Sequence, residues 1–347
     1  MEIVRLSMPS GYHFPRPAQL LFDTTIDPNP NAVTPLLRNF LYVISSAITQ
    51  LEAYGDEFVG PSVNNTPMQD LFRQIGEVEA PGLESVRVEN PFYGSNSPAL
   101  PNLIKSHAST ISRLSLEVPH NEQLWIATRS LRNLKELSID FEVAWDSEPL
   151  SSPKDTVVAL GDMTSGTFPK LETFSAFLPP TDFCLEHRRS EIFKGFARST
   201  QLVSLTLTSS TPIMPYAKEM WHIGQSLHRL ETLRIDIRPL ADQEKLGTAS
   251  SLVSILQVFP HIRHLDTGVI CDSIPDTAKT EPHTALEVLD LSWSPAPKAR
   301  QEDIAAFMRS ILPRTARVVH LGERRLFGMS EGEAAWDEVA RLIDEAA

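Results

Sequence analysis

The stretch HIRH sets His261 and His264 three residues apart, a spacing that on a helix turns two imidazoles toward one metal ion. The apolar pattern around it instead puts His264 in a strand and His261 in the turn before it, so the rings need not converge. His222 and His228 bracket a helix end and share neither an i+3 nor an i+4 relation. His320 stands alone, without a visible base or orienting group. Cys184 and Cys271, the two cysteines, lie far apart and in no CxxC setting, which reads as two buried thiols rather than a disulfide or thiolate metal site. The chain has no phosphate-binding loop of the Walker type, no glycine-rich dinucleotide fingerprint, no HExxH and no GxSxG. These residues predict no catalytic group, no metal and no cofactor, and the chain reads as non-enzymatic.

The informative charges are instead those that alternate with apolar residues in a recurring phrase. LRNLKELSIDF, beginning at Leu131, and LHRLETLRIDI, beginning at Leu227, are near copies. Written as apolar-x-x-apolar-x-apolar, the phrase starts at Ile48, Leu83, Ile111, Leu134, Leu171, Leu202, Leu230 and Leu286, with weaker forms at Ile3, Ile262 and Ala316. From Ile48 to Ala316 the starts fall 35, 28, 23, 37, 31, 28, 32, 24 and 30 residues apart, the length of a strand-plus-helix repeat with insertions. The last four residues of each phrase alternate as a half-buried strand does, while the first apolar residue tucks into the turn leading to it.

That register points a defined set of side chains away from the core. They are Arg5 on the first phrase, Glu52 and Tyr54 on the second, and Arg87 and Glu89 on the third. Next come Arg113 with Glu117, Glu136 with Asp140, and the aromatic Phe177. Later phrases contribute Arg234, Asp236, His264, Asp266, Asp290 and His320. Outward strand residues are polar simply because water touches them. The sharper reading is an acidic face, with Tyr54 and Phe177 as aromatic anchors, for a protein segment that is basic or of mixed charge.

Helices are predicted between the phrases. Thr34-Pro35 precedes LLRNFLYVISSA and Thr66-Pro67 precedes MQDLFRQIG, placing a capping hydroxyl before a proline at the first helical position. LPNLIKSHA, SEIFKGFARS, AKEMWHIGQSL and ASSLVSILQVF fit the same role, and proline stops the helix in FPKLETF and FPHIRHL. Residues 23–35, 145–156, 272–284 and 294–300 read as surface loops. The tail SEGEAAWDEVARLID reads as an amphipathic helix with a capping box, Ser330 and Glu333, and one apolar face, Trp336, Val339, Ala340 and Ile343. It would close the last repeat. The first phrase has no helix before it, so the expectation is either that a neighbouring segment closes that end, with HFPRPAQLLF the candidate, or that an upstream piece is missing.

One strand and one helix cannot bury their apolar faces alone, and stacking such units in parallel builds a continuous core. The phrases resemble the leucine-rich-repeat superfamily, specifically the irregular, ribonuclease-inhibitor-like arrays of fungal F-box-type proteins. The resemblance implies an α/β solenoid with a parallel sheet on the concave face and helices and loops on the convex face. It would be a single domain over 1–347, clearest over 48–322, with 323–347 as a C-terminal capping helix. It also implies a protein-binding array, such as a ubiquitin-ligase substrate receptor, whose N-terminal F-box would dock an adaptor; no LPxE-like start precedes Ile3. A signalling regulator such as a GTPase-activating protein on a similar array would need an arginine near one rim, for which Arg5, Arg87 and Arg113 are available. An orphan enzyme on the curved sheet is the remaining alternative. The asparagine that usually follows the strand phrase is replaced here by Pro119, Glu142, Ser210, Arg238 and Ser294, so an uneven coil without a regular asparagine ladder is expected.

A formal net charge of -13 repels nucleic-acid phosphates and anionic lipid, leaving a protein partner as the expectation. The N-terminus lacks a basic start followed by an apolar run, and no window approaches the roughly 18 apolar residues that span a bilayer. A cytoplasmic or nuclear location follows as an expectation.

Overall fold

The computed structural model describes residues 3–7, 19–23, 48–54, 66–77, 82–89, 98–117, 122–140, 168–178, 195–209, 217–237, 247–275, 281–291, 294, 297, 299–319 and 331–345. The chain divides into two compact units, with the boundary between Leu171 and Glu172 apart from an exchanged piece, residues 160–165, that belongs to the second.

In the first unit the phrases become strands β1 (Ile3–Ser7), β3 (Gln50–Tyr54), β4 (Ser85–Glu89), β5 (Arg113–Glu117) and β6 (Glu136–Asp140), with β2 (Gln19–Asp23) beside β1. β3 to β6 are parallel and adjacent in sequence order. Helices α1 (Thr66–Glu77), α2 (Ala99–Ser106) and α3 (Glu122–Thr128) alternate with them, and each packs against the next. Parallel neighbours require a crossover, and a common right-handed sense places successive helices on one face of the sheet. Toward them point Leu51, Ala53, Val86, Val88, Leu114, Leu116, Leu137 and Ile139, all buried.

The second unit holds β7 (Thr173–Leu178), β8 (Ser204–Ser209), β9 (Thr232–Ile237), β11 (His264–Thr267), β13 (Val288–Asp290) and β14 (Arg317–Val319), parallel and in sequence order. Between them run α4 (Ala217–Ser226), α5 (Ala249–Val258) and α6 (Gln301–Ile311). A small parallel pair, β10 (Gly247–Thr248) with β12 (Val269–Ile270), lies outside the main sheet. The fold is α/β and leucine-rich-repeat-like, with ten parallel strands in sequence order, four in one unit and six in the other.

From Ile48 onward the first residue of each phrase is buried, with Ala316 the loosest at 8%. Directly after it runs a spine of shared acceptors. The Glu84 carbonyl accepts N–H from both Ser112 and Arg113 at 2.8 and 3.0 Å, and the Ser112 carbonyl accepts from Lys135 and Glu136 at 2.7 and 3.0 Å. In the second unit the carbonyls of Glu172, Val203, Glu231 and Arg263 each take two donors from the following repeat in the same way. Both lone pairs of each oxygen are used, so a slip by one residue would cost two bonds and turn every apolar side chain to water.

Two sequence expectations are corrected. β1 pairs antiparallel with β3, so the phrase at Ile3 is not a parallel repeat. Of HFPRPAQLLF the described part, Gln19 to Phe22, lies in β2, which pairs antiparallel along the other side of β1. The stretches 272–284 and 294–300 are not wholly surface: His283 and Ser294 are buried, and Cys271 beside them has its carbonyl bound by the Ala299 N–H at 3.1 Å. Ser294, at an asparagine-ladder position, accepts the Val269 N–H at 2.9 Å, so its short hydroxyl still bridges two repeats.

Some elements were not foreseen. α3 is only seven residues long, and β10 and β12 only two each. Thr248 caps α5 with a reciprocal Thr248–Ser251 capping box. The expected helix after Thr34-Pro35 lies outside the described residues; of SEIFKGFARS the described part closes in tight turns, Arg198 N–H to Gly195 and Ser199 N–H to Phe196. The terminal helix α7 (Glu331–Asp344) packs on α6 and β14, burying Trp336, Val339 and Ile343 as its periodicity predicts. No described helix is long and apolar enough to cross a membrane.

Candidate binding surface

The alternation that buries one side of each strand presents the other side as rows running across the strands. In the first unit, Gln50, Ser85, Arg113 and Glu136 are in register at the strand starts, and Glu52, Arg87, Ser115 and Ser138 follow. The third row is Tyr54, Glu89, Glu117 and Asp140. Three carboxylates thus stand on adjacent strands, about 4.8 Å apart from one to the next. Like charges at that separation repel by roughly 1 kcal/mol per neighbouring pair in water, and by more where water is excluded. Arg87 donates to Glu89 from the row behind, answering part of this repulsion.

In the second unit the first two strands carry hydroxyls. Thr173 and Ser175 on β7 face Ser204 and Thr206 on β8, and Phe177 faces Thr208. Charge begins at β9, where Arg234 lies in register with Asp266 on β11, and Asp266 with Asp290 on β13. Arg234 Nε meets Asp266 Oδ2 at 2.8 Å; the carboxylate is nearly buried although it points outward, while the guanidinium is half exposed. Asp236 stands opposite Thr208. Arg263, one residue before β11, reaches Glu287 at 3.2 Å and Glu231 at 4.0 Å, both also one residue before their strands.

The structure therefore puts the outward residues in two groups. Glu52, Tyr54, Arg87, Glu89, Arg113, Glu117, Glu136 and Asp140 share the first unit's sheet. Phe177, Arg234, Asp236, His264, Asp266 and Asp290 share the second's. Arg5 lies on β1, opposite Glu52. The backbones of Arg5, Tyr54 and Asp236 are described but not their side chains, and His320 and Cys184 lie outside the described residues.

Among the described residues no group of three or more His, Cys, Asp or Glu could hold a metal ion. His261 and His264 are both exposed, and His264 lies 4.0 Å from Glu287. Burial pushes the Cys271 thiol up to about 12, with the Asp272 charge adding to the effect, so the sulfur is a protonated core atom at neutral pH.

Two histidines that spacing arguments passed over turn out to tie repeats together. His283 Nδ1 faces the N–H groups of Ala285 and Leu286 at 3.3 and 3.1 Å and must accept from them. Nε2 is then the protonated nitrogen, donating to the Phe259 carbonyl at 3.0 Å at the end of α5. His107 Nε2 donates in the same manner to the Ile75 carbonyl in α1 at 3.3 Å. Their place in the sequence, three and four residues before Leu286 and Ile111, was the available signal.

No family model matches this chain, and no curated protein matches it. Among solved structures it is similar to a leucine-rich-repeat protein of Leptospira interrogans, at 11% identity and a TM-score of 0.29, over 76% of this chain and 81% of that one. The fold assignment rests on the strand order and register of the chain itself.

Proposed function

We propose that the chain is a non-catalytic protein-binding scaffold whose outward sheet faces receive a partner with a basic segment. The observation that carries this reading is the in-register row Glu89, Glu117 and Asp140, built on strands whose opposite faces are committed to the core. A chain of cationic side chains laid across the strands would meet one carboxylate per strand. Arg113, Glu136, Glu52 and Arg87 behind that row offer mixed charge that sets orientation. In the second unit Asp266 and Asp290, beside Arg234, repeat the chemistry on a smaller scale. The net charge of -13 argues against nucleic acid and anionic membrane as partners.

The narrower reading, a substrate-recognition array like those of F-box-type ubiquitin-ligase receptors, rests on the wording of the repeats alone. Affinity capture on the immobilised full chain tests both. The expected result is retention of a protein with a basic segment by the native chain, and at least tenfold weaker retention by a folded Glu89→Lys, Glu117→Lys, Asp140→Lys variant. Equal retention by that variant overturns the sheet face as the docking surface. Recovery of a cullin-linked adaptor supports the narrower reading, and its absence argues against adaptor docking by this stretch of chain while leaving the scaffold.

A further inference from the structure

We draw no further inference here: the strongest candidate, the carboxylate row at the strand ends of the first unit's sheet, belongs to the surface already described, and nothing else in the structure points to a particular ligand there.

Discussion

Cys271 and His283 show how burial decides what a reactive residue type can do. With its thiol held protonated up to about 12, Cys271 has almost no thiolate at pH 7 to 8. Iodoacetamide at pH 8 should leave Cys271 unmodified in the folded chain and alkylate it once urea unfolds the protein, as peptide mass analysis would show. Labelling of the native protein at the unfolded rate would contradict the burial described. His283 engages three backbone groups through one ring, so His283→Ala strands the Ala285 and Leu286 N–H groups and leaves the Phe259 carbonyl with the Ile262 N–H as its remaining donor. Each orphaned buried group costs about 1–3 kcal/mol, partly relieved by water filling the space, so a loss of roughly 2–4 kcal/mol is expected in urea unfolding. His107→Ala, which removes one longer bond, should cost less. The apolar pattern gave no reason for the HIRH rings to converge, but it could not find these two roles, because each ring binds a backbone group 24 or 32 residues earlier in the chain.

At the level of elements, the period-two alternation made the strands legible and, on β4, β5 and β6, matches the described burial residue by residue. It did not foresee that Asp266, an outward position, would be nearly buried, and it was blind to direction. A strand alternates identically whether it runs parallel or antiparallel, so β1 read as one more repeat when it is part of the antiparallel end of the sheet. Helix packing was equally hidden, as Gly224 illustrates. A Cβ at that position would overlap Val258 Cγ1 and lie 2.8 Å from the Val258 carbonyl oxygen, which α5 cannot easily withdraw. Alanine gains about 1 kcal/mol of helix propensity over glycine. The forced separation of α4 and α5 costs about 1–3 kcal/mol. Gly224→Ala is therefore expected to lower the urea midpoint despite its better propensity, and a raised midpoint would show that the helices separate freely. Trp336→Ala in α7 should cost more, about 3–5 kcal/mol, because the indole is almost wholly buried where that helix packs on its neighbours.

For the whole molecule, acidity and architecture act together. The excess negative charge extends the field of the carboxylate row beyond contact distance, so association with a basic partner should be fast at low salt and slow markedly as the Debye length shrinks from about 10 Å at 0.1 M to about 3 Å at 1 M. Stopped-flow association rates across that range provide the check, and rates indifferent to salt would point to an apolar contact instead. The repeat plan could be read from the chain because it is written many times over. The ion pairs that tune the surface, Arg87 with Glu89 and Arg234 with Asp266, are each written once and depend on side-chain rotamers that no periodicity encodes.

The shared carbonyl between successive phrases has a consequence for how such a chain changes over time. Where the shared carbonyl is described, the junction needs one acceptor from the earlier phrase and two donors from the later, and the intervening length, from 23 to 35 residues, does not enter. Doubling a loop costs only about 0.6 kcal/mol in closure entropy. A genetic duplication or exchange cut at matching phrases would therefore deliver a segment that already carries the bonding partners its neighbours require. The smallest heritable module is the interval between one buried phrase residue and the next, and the outward residues within it can be replaced without disturbing the junctions on either side.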